Sequence, residues 1–431
     1  MNRFPYIAIF VLFISSIGLV PRFQFKTYFY PFKTNINIVQ IQKKETFGQV
    51  EIKGIKEGLC NEYIDQLLKF NLTYKKYRDK LLYGFWNNTE DFDYAKFFTR
   101  ADLVPKFGKK EFIDKINRFE GKIAIYKNAY GTYSGEFAVD GYIIRPPFAS
   151  GPAWIRVYTN GPVVYQCENA CLFGHKALNN IGHFMNDYLQ PLILLPKEFR
   201  ENCVCIINSL SMLNGDELLR AINVSKYIYV KEGEWVFAKR LAVAVEGRPH
   251  YMHYGMSLQI LVDKLREYYK LPEIEPTRYI IFNRANKTNR HILNIDDIIA
   301  RMKTDIPVKF EYVPDWIGPY YEYAKFFSSV KCMFTAAGSN CHKTVFMKKG
   351  TVAAIVGSQM FDYGALSTLM SVGIRVAVAH HQFWHFYNKC VCDVDLAIKT
   401  IRVAVYYSVN NTWPEPIPNV TFVDYDRVRY K

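Results

Sequence analysis

Phe334-Thr-Ala-Ala-Gly-Ser-Asn-Cys-His-Lys-Thr-Val-Phe-Met-Lys-Lys-Gly350, followed by Thr351-Val-Ala-Ala-Ile-Val356, is the stretch on which the fold turns. It reads as a strand, a small-residue loop, a two-turn helix, a glycine stop and a second strand. A small-residue loop that opens a helix leaves backbone N–H groups pointing outward, and the helix dipole adds partial positive charge there. Such a place accepts a phosphate. Ser339 reads as the N-cap and Gly338 as the point of close backbone approach. Asn340 and His342 supply side-chain donors in the first turn, and Gly350 ends the helix. An ordinary strand–helix turn of an α/β domain has the same composition, so the loop alone does not separate a phosphate cradle from a turn.

About fifty residues upstream, Phe282-Asn-Arg-Ala-Asn-Lys-Thr-Asn-Arg290 supplies two arginines. Guanidinium forks match phosphate oxygens bidentately. Arg284 stands just past an apolar strand, where open α/β sheets bind their ligands. Asn294, with Asp296 and Asp297 behind it, reads as a structural helix cap, and one of the two arginines would then only flank that cap. The arginine segment and the glycine loop together suggest a pocket for a nucleotide diphosphate. Further upstream lies Asn180-Ile-Gly-His-Phe-Met-Asn-Asp-Tyr-Leu-Gln-Pro191. His183 and Asp187 are four apart, hence on one helix face. An imidazole beside a carboxylate suits general-base work on a hydroxyl; a buried helix braced by polar residues would look the same. His175 carries similar weight.

Around these segments, short apolar strands alternate with helical stretches, which argues for parallel sheets. From Gly121 the chain shows strand-like runs at 122–126, 141–144, 154–158, 203–207, 227–230 and 241–245, with helices at 215–222 and 257–269. Leu271-Pro-Glu-Ile-Glu-Pro276 reads as a linker, because two prolines in a polar hexapeptide break structure. A second unit follows, with strands at 279–282, 308–312, 332–334 and 352–356 and helices at 295–302 and 320–327. Two such units imply a cleft between them. The expected organisation is a signal segment over 1–21, a stem and helical wrapping region over 22–120, an acceptor domain over 121–270, a nucleotide-binding domain over 277–400, and a C-terminal tail over 401–431 packing back on the first domain.

The chain has 431 residues, half of them hydrophobic and 16% aromatic, enough for large cores. Its 55 basic and 40 acidic residues give a formal charge of +15. The basic residues are scattered, without a nucleic-acid signature, so nucleic acid is not expected as a partner. Arg3 precedes the apolar run Phe4–Val20, and Arg22 and Lys26 follow it. This reads as a short signal anchor in a thin early-secretory bilayer, or as a signal peptide cleaved near Ser16 and Gly18. Six Asn-x-Ser/Thr sequons stand at Asn71, Asn87, Asn223, Asn286, Asn410 and Asn419. The one at Asn286 falls inside the arginine segment and is set aside as a glycan site. Nine cysteines are compatible with a few disulfides in an oxidising lumen, with at least one left over. No Cys-x-x-Cys pair exists and the two Cys-x-Cys pairs are not a standard zinc spacing, so structural zinc is not expected; no other metal or cofactor is expected either. Asp91-Phe-Asp93 and Asp393-Val-Asp395 have the form of a metal motif but lie away from the expected donor region.

With these residues in view, the chain resembles glycosyltransferase family 61. Gly182-His183-Phe184-Met185-Asn186-Asp187, with Pro191, resembles the family's Gly-His-Phe/Trp-x-x-Asp…Pro element. Arg284 and Arg290-x-Ile292-x-Asn294 resemble its Arg…Arg-x-Ile-x-Asn element, and Gly338-Ser339 through Val345-Phe346-Met347 to Gly350-Thr351-Val352 resemble its glycine-loop element. Order and spacing agree over about residues 165–360. The chain departs from the family where Ala337 replaces a common His, Asn340 a glycine, His342-Lys343 a Thr-Asn pair and Lys348-Lys349 a Pro-Pro pair.

The resemblance implies an α/β protein of GT-B type, with two Rossmann-like domains facing a cleft behind the N-terminal anchor and stem. It implies inverting transfer of a sugar from a nucleotide-diphosphate donor, a UDP-sugar, to a glycan or protein hydroxyl. The donor would sit against Arg284, Arg290, Gly338, Ser339, Asn340 and His342, and His183 or Asp187 would act on the acceptor. The expected setting is the Golgi or endoplasmic reticulum membrane, type II with a luminal catalytic domain, or secretion after signal cleavage. Ala337 supports a second expectation, a non-catalytic descendant that binds a sugar or a luminal partner.

Overall fold

The computed structural model describes residues 38–43, 45–71, 120–146, 160–174, 178–208, 210, 215–246, 257–316, 318–357, 365, 368–369, 371–380, 389 and 391–414. The apolar N-terminal run, His175, Asn87, Asn419 and Asp91-Phe-Asp93 lie outside them. Among the described residues, no helix is long and apolar enough to cross a membrane.

Residues from Ile36 onward form one unit containing two sheets. Eleven strands build the first: β1 (Val39–Gln40), β2 (Gln49–Val50), β3 (Gly54–Glu57), β4 (Ile64–Asn71), β5 (Glu120–Thr132), β6 (Phe137–Val139), β7 (Tyr142–Arg145), β8 (Gly161–Leu172), β9 (Val204–Ile207), β10 (Lys226–Tyr229) and β11 (Trp235–Glu246). Their order is β1-β10-β9-β8-β11-β5-β6-β7-β3, with β2 beside β8 and β4 beside β5.

The first sheet is mixed, where a Rossmann-like parallel sheet was expected. The run from β1 to β11 is parallel, but β11, β4 and β6 all pair antiparallel with β5. Between β6 and β7, which also pair antiparallel, a short connection enforces that direction. Asp140-Gly141 joins β6 to β7 with both residues at positive φ, 51° and 80°. Such a two-residue turn can only connect antiparallel strands. The stem and wrapping expectations also change: 39–57 supplies strands β1 to β3, and Ile64–Asn71 is a strand, not a helix. Leu67 and Leu68 pair across to Ala124 and Ile123, which gives this segment an apolar reason to extend along β5.

After β8, the helical run 181–194 (α1) consists of an α turn Ile181–His183, a wider π segment Phe184–Leu189 and an α turn Gln190–Leu194. In the π segment the Gln190 N–H reaches the Met185 carbonyl, and Pro191 offers no N–H. Three more helices follow: α2 (Lys197–Asn202), α3 (Gly215–Ala221) and α4 (Ser257–Tyr268).

The second sheet is parallel throughout. It contains β12 (Arg278–Asn283), β13 (Glu311–Pro314), β14 (Val330–Ala336), β15 (Val352–Gly357) and β16 (Arg375–His380), in the order β13-β12-β14-β15-β16. Helix α5 (Ile295–Asp305) connects β12 to β13, and α6 (Tyr320–Ser328) connects β13 to β14. The chain therefore reverses its direction of winding between β12 and β14. Such a switch point leaves an open crevice at the strands' carboxyl ends.

Helix α7 (Val394–Asn410) packs on β14, β15, β16 and α5. Residues 401–410 thus belong to the second sheet's own cover and are not a tail returning to the first; Leu396, Ile401, Ala404 and Val405 give this helix its buried stripe. One apolar core runs through both sheets, from Cys171 and Tyr188 to Phe282 and Phe334. Across the 271–276 segment, Arg266 of α4 donates to the carbonyl of Phe346, so the two sheets are joined by a charged anchor as well as by packing.

Candidate functional site

Arg284, Arg290 and Gly338 meet at the switch point. β12 ends at Asn283, whose Oδ1 accepts from the N–H groups of Arg284 (2.9 Å) and Ile292 (3.1 Å). Its Nδ2 donates to the Ile292 carbonyl at 3.0 Å. His291 Nδ1 donates to the Arg284 carbonyl at 2.6 Å. These bonds fold the arginine loop back on itself. Arg290 completes the fold in a left-handed conformation, φ 64°, which costs a residue with a Cβ roughly 1–2 kcal/mol.

Both guanidinium groups then lie against Gly338. A Cβ there would stand 2.5 Å from Arg284 Nη1 and 2.9 Å from Arg290 Cζ and Nη1. Gly338 also has φ 140° and ψ −169°, a conformation essentially closed to other residues. Space and backbone both demand glycine, and the result is two cations against one stretch of bare main chain.

The expected two-turn helix is absent. Ser339–His342 forms a single 3-10 turn with Gly338, not Ser339, at its cap position, and 343–350 continue as irregular turns. Four residues align too few peptide dipoles to attract an anion appreciably. Positive charge at this site comes from the arginines. Polar anchors hold the loop in its irregular form. The Tyr320 hydroxyl donates to the His342 carbonyl, and Asn340 Nδ2 donates to Asp315 Oδ2 at 3.2 Å. Lys343 Nζ pairs with Asp315 Oδ1 at 2.6 Å, with side chains only 9% and 11% exposed. Burial holds the Lys343 amine below its ordinary value; Asp315 opposes that shift and Arg284 adds to it.

Asn340 and His342, expected as ligand donors, face inward. His342 Nδ1 donates to the Ser339 carbonyl (3.3 Å), and its Nε2 faces the Thr368 hydroxyl (3.0 Å). Thr368 accepts from Asn186 Nδ2 (3.5 Å), Gln190 Nε2 donates to Asn186 Oδ1 (2.6 Å), and the Ser257 hydroxyl donates to Gln190 Oε1 (2.8 Å). This buried chain ties the glycine loop to α1 and α4.

The His-Asp element abuts the same loop. Asn180 accepts from the Gly182 N–H at 2.8 Å, capping α1, and donates to Ser339 Oγ at 3.2 Å. A Cβ on Gly182 would lie 3.2 Å from the His342 ring. His183 Nδ1 stands 2.7 Å from Asp187 Oδ2; the Asp187 side chain is 1% exposed and the His183 side chain 22%. The imidazole is thus partly exposed, with the carboxylate buried beside it.

Asn294 occupies the N-cap position of α5, but its side chain does not cap. Instead it exchanges two hydrogen bonds with the Cys392 backbone, at 2.9 and 2.8 Å, because the segment before α7 lies within reach. Asp393 caps α7 through the Leu396 N–H. Among the sequons, Asn71 ends β4 and Asn410 ends α7 at an exposed position, while the Asn223 amide is engaged by Glu201. Asn286 is exposed and accepts from Lys389 Nζ. The eight described cysteines are free thiols, so the expected disulfides do not occur among the described residues.

Sequence reading missed Asn180, Asn283, His291, Asp315 and Lys343. Asn283 sits directly between strand and arginine, and Asn180 precedes an Ile-Gly helix start, so both had a local signal. Asp315 had none, since it meets Lys343 only because β13 and β14 both pair with β12.

No curated protein matches this chain. Residues 181–354 match the family model described as Glycosyltransferase 61. That span opens at the first residue of α1 and closes within β15, so it takes in the His-Asp pair, both arginines and the glycine loop. Over that span, the chain is similar to glycosyltransferase family 61.

Proposed function

We propose that this protein transfers a sugar, with inversion, from a nucleotide-diphosphate donor of the UDP-sugar type to a hydroxyl of a glycan or glycoprotein. The observation that carries this reading is the packing of Arg284 and Arg290 against Gly338 at the switch point of a parallel sheet. A departing nucleotide diphosphate gains negative charge as the sugar–oxygen bond breaks. Two guanidinium groups fixed beside bare backbone stabilise that charge without reorganising and without a metal. Ser339, at the loop's rim, is a further donor.

His183 is the base in this reading and Asp187 orients it. With Asp187 accepting from Nδ1–H, Nε2 takes the proton of the acceptor hydroxyl. The oxygen then attacks the anomeric carbon opposite the leaving diphosphate, which inverts the centre. Membrane anchoring and a Golgi or endoplasmic reticulum lumen belong to the same proposal, supported by the apolar run Phe4–Val20 and the sequons.

Titration of the folded protein with nucleoside diphosphates tests the donor site. Binding of a nucleoside diphosphate is expected, with loss in Arg284→Ala; no binding by folded protein would sink the transferase reading. Equal binding by the variant would displace the donor site. A second reading, a non-catalytic sugar-binding descendant, is favoured by Ala337, a buried methyl that offers no donor beside the loop. Binding of nucleotide sugar without turnover, across a panel of glycan acceptors and water, would select it.

A further inference from the structure

Three sulfur atoms converge beneath α1, away from the arginine site. Cys171 on β8 and Cys205 on β9 are register partners, with Sγ atoms 3.3 Å apart. Cys203 Sγ lies 3.8 Å from Cys171 Sγ, and all three Sγ atoms fall within 4.8 Å of one another. All three residues are fully buried. The Tyr188 hydroxyl lies 3.8 Å from Cys171 Sγ and donates its proton to the Ile206 carbonyl. Its oxygen lone pairs are thereby left for the sulfur side.

We propose that Cys171, Cys203 and Cys205 bind a zinc ion, with the Tyr188 oxygen as a fourth, neutral donor. Zinc–thiolate bonds of about 2.3 Å place tetrahedral sulfurs about 3.8 Å apart, and the observed separations need little adjustment to reach that. An all-sulfur triad without carboxylate or imidazole selects a thiophilic ion over magnesium or calcium. Binding replaces three S–H protons by Zn2+ and releases them, leaving one net negative charge on the cluster.

Arg200 offsets that charge. Its guanidinium is held by the carbonyls of Ile193, Leu195 and Ile222. Arg200 is buried three residues before Cys203, whose Sγ is 3.3 Å from the Arg200 carbonyl. Charge balance therefore favours divalent zinc over monovalent copper. The ion would fasten β8, β9 and α1 together one residue from Asp187. This inference does not rest on the transferase reading.

Metal analysis and cobalt substitution test it. The reduced, full-length protein is expected to carry about one zinc per chain. After chelation, Co2+ is expected to give a sulfur-to-cobalt charge-transfer band with the d–d intensity of a tetrahedral site, and stoichiometric Zn2+ to abolish it. Cys205→Ser is expected to lose that band. Should this variant fail to fold, the parent titration still decides. Absence of zinc and of the cobalt band in reduced parent protein overturns the proposal, as does a Cys171–Cys205 disulfide that excludes metal. Binding of copper(I) alone overturns zinc.

Discussion

The two sheets contribute to the site in different ways. The second sheet, parallel throughout, turns its winding at β12 and β14 and concentrates positive charge at their carboxyl ends. The first is mixed, and its long strands β5, β8 and β11 run 13, 12 and 12 residues. It contributes one helix to the candidate site, α1, which also follows the carboxyl end of a parallel strand. In both sheets the chemistry gathers where parallel strands end, because there the chain must leave the sheet and loops and helix starts converge. The antiparallel part of the first sheet is scaffold.

The comparison can be broken at several points. The largest effect is expected for His183→Ala, which removes the proposed base while leaving the second sheet intact: turnover falls by about 10²–10⁴, while nucleoside-diphosphate affinity is kept in a parallel titration. Loss of both would mean that α1 and the arginine loop are one binding surface. Gly338→Ala, whose Cβ collides with both guanidinium groups, is expected to weaken nucleoside-diphosphate binding by about 100-fold, read by calorimetry. Normal binding there would show that the arginines are not the seat of charge.

Lys343→Met leaves Asp315 buried without its cation and is expected to cost about 3 kcal/mol in denaturant unfolding. The double variant with Asp315→Leu recovers most of that, since the buried pair is replaced by apolar contact. Absence of recovery would mark the pair as more than a brace. The smallest effect is expected for Asn294→Ala, about 1–2 kcal/mol from two lost bonds to Cys392. A loss confined to α7, seen by hydrogen exchange, would confirm that this residue fastens α7 and does not cap α5.

The second sheet was the more legible of the two. Its strands at 279–282, 332–334 and 352–356 and its helices at 295–302 and 320–327 coincide with observed elements, because buried parallel strands and amphipathic helices leave different periods in the sequence. β13 lies about three residues beyond its expected place, since Glu311 and Tyr312 are exposed and the edge strand has little apolar pattern. In the first sheet, β8 went unread because its inner stretch alternates with Gln166, Glu168 and Asn169. The Asp140-Gly141 turn, which sets β6 and β7 antiparallel, also went unread.

Within the site, Arg284, Arg290 and Gly338 were read from residue type, while the inward turn of Asn340 and His342 was not. Side-chain chemistry says what a group can bond, but only its neighbours say which bond it makes. Here Asp315 and Thr368 arrive from 25 and 26 residues away and take both side chains.

What the sequence determined by itself is the set of chemical groups and their order: an imidazole and carboxylate at helical spacing, paired arginines after a strand, a glycine before a turn. Local periodicity and residue type are properties of neighbouring residues, so they survive in one dimension. Tertiary structure alone decided which groups meet. Cys203-x-Cys205 has no zinc spacing as written, but two residues in extended chain share a face, and the next strand brings Cys171 to it. Gly338 is required by guanidinium groups about fifty residues upstream, which only the pairing of β12 with β14 brings beside it.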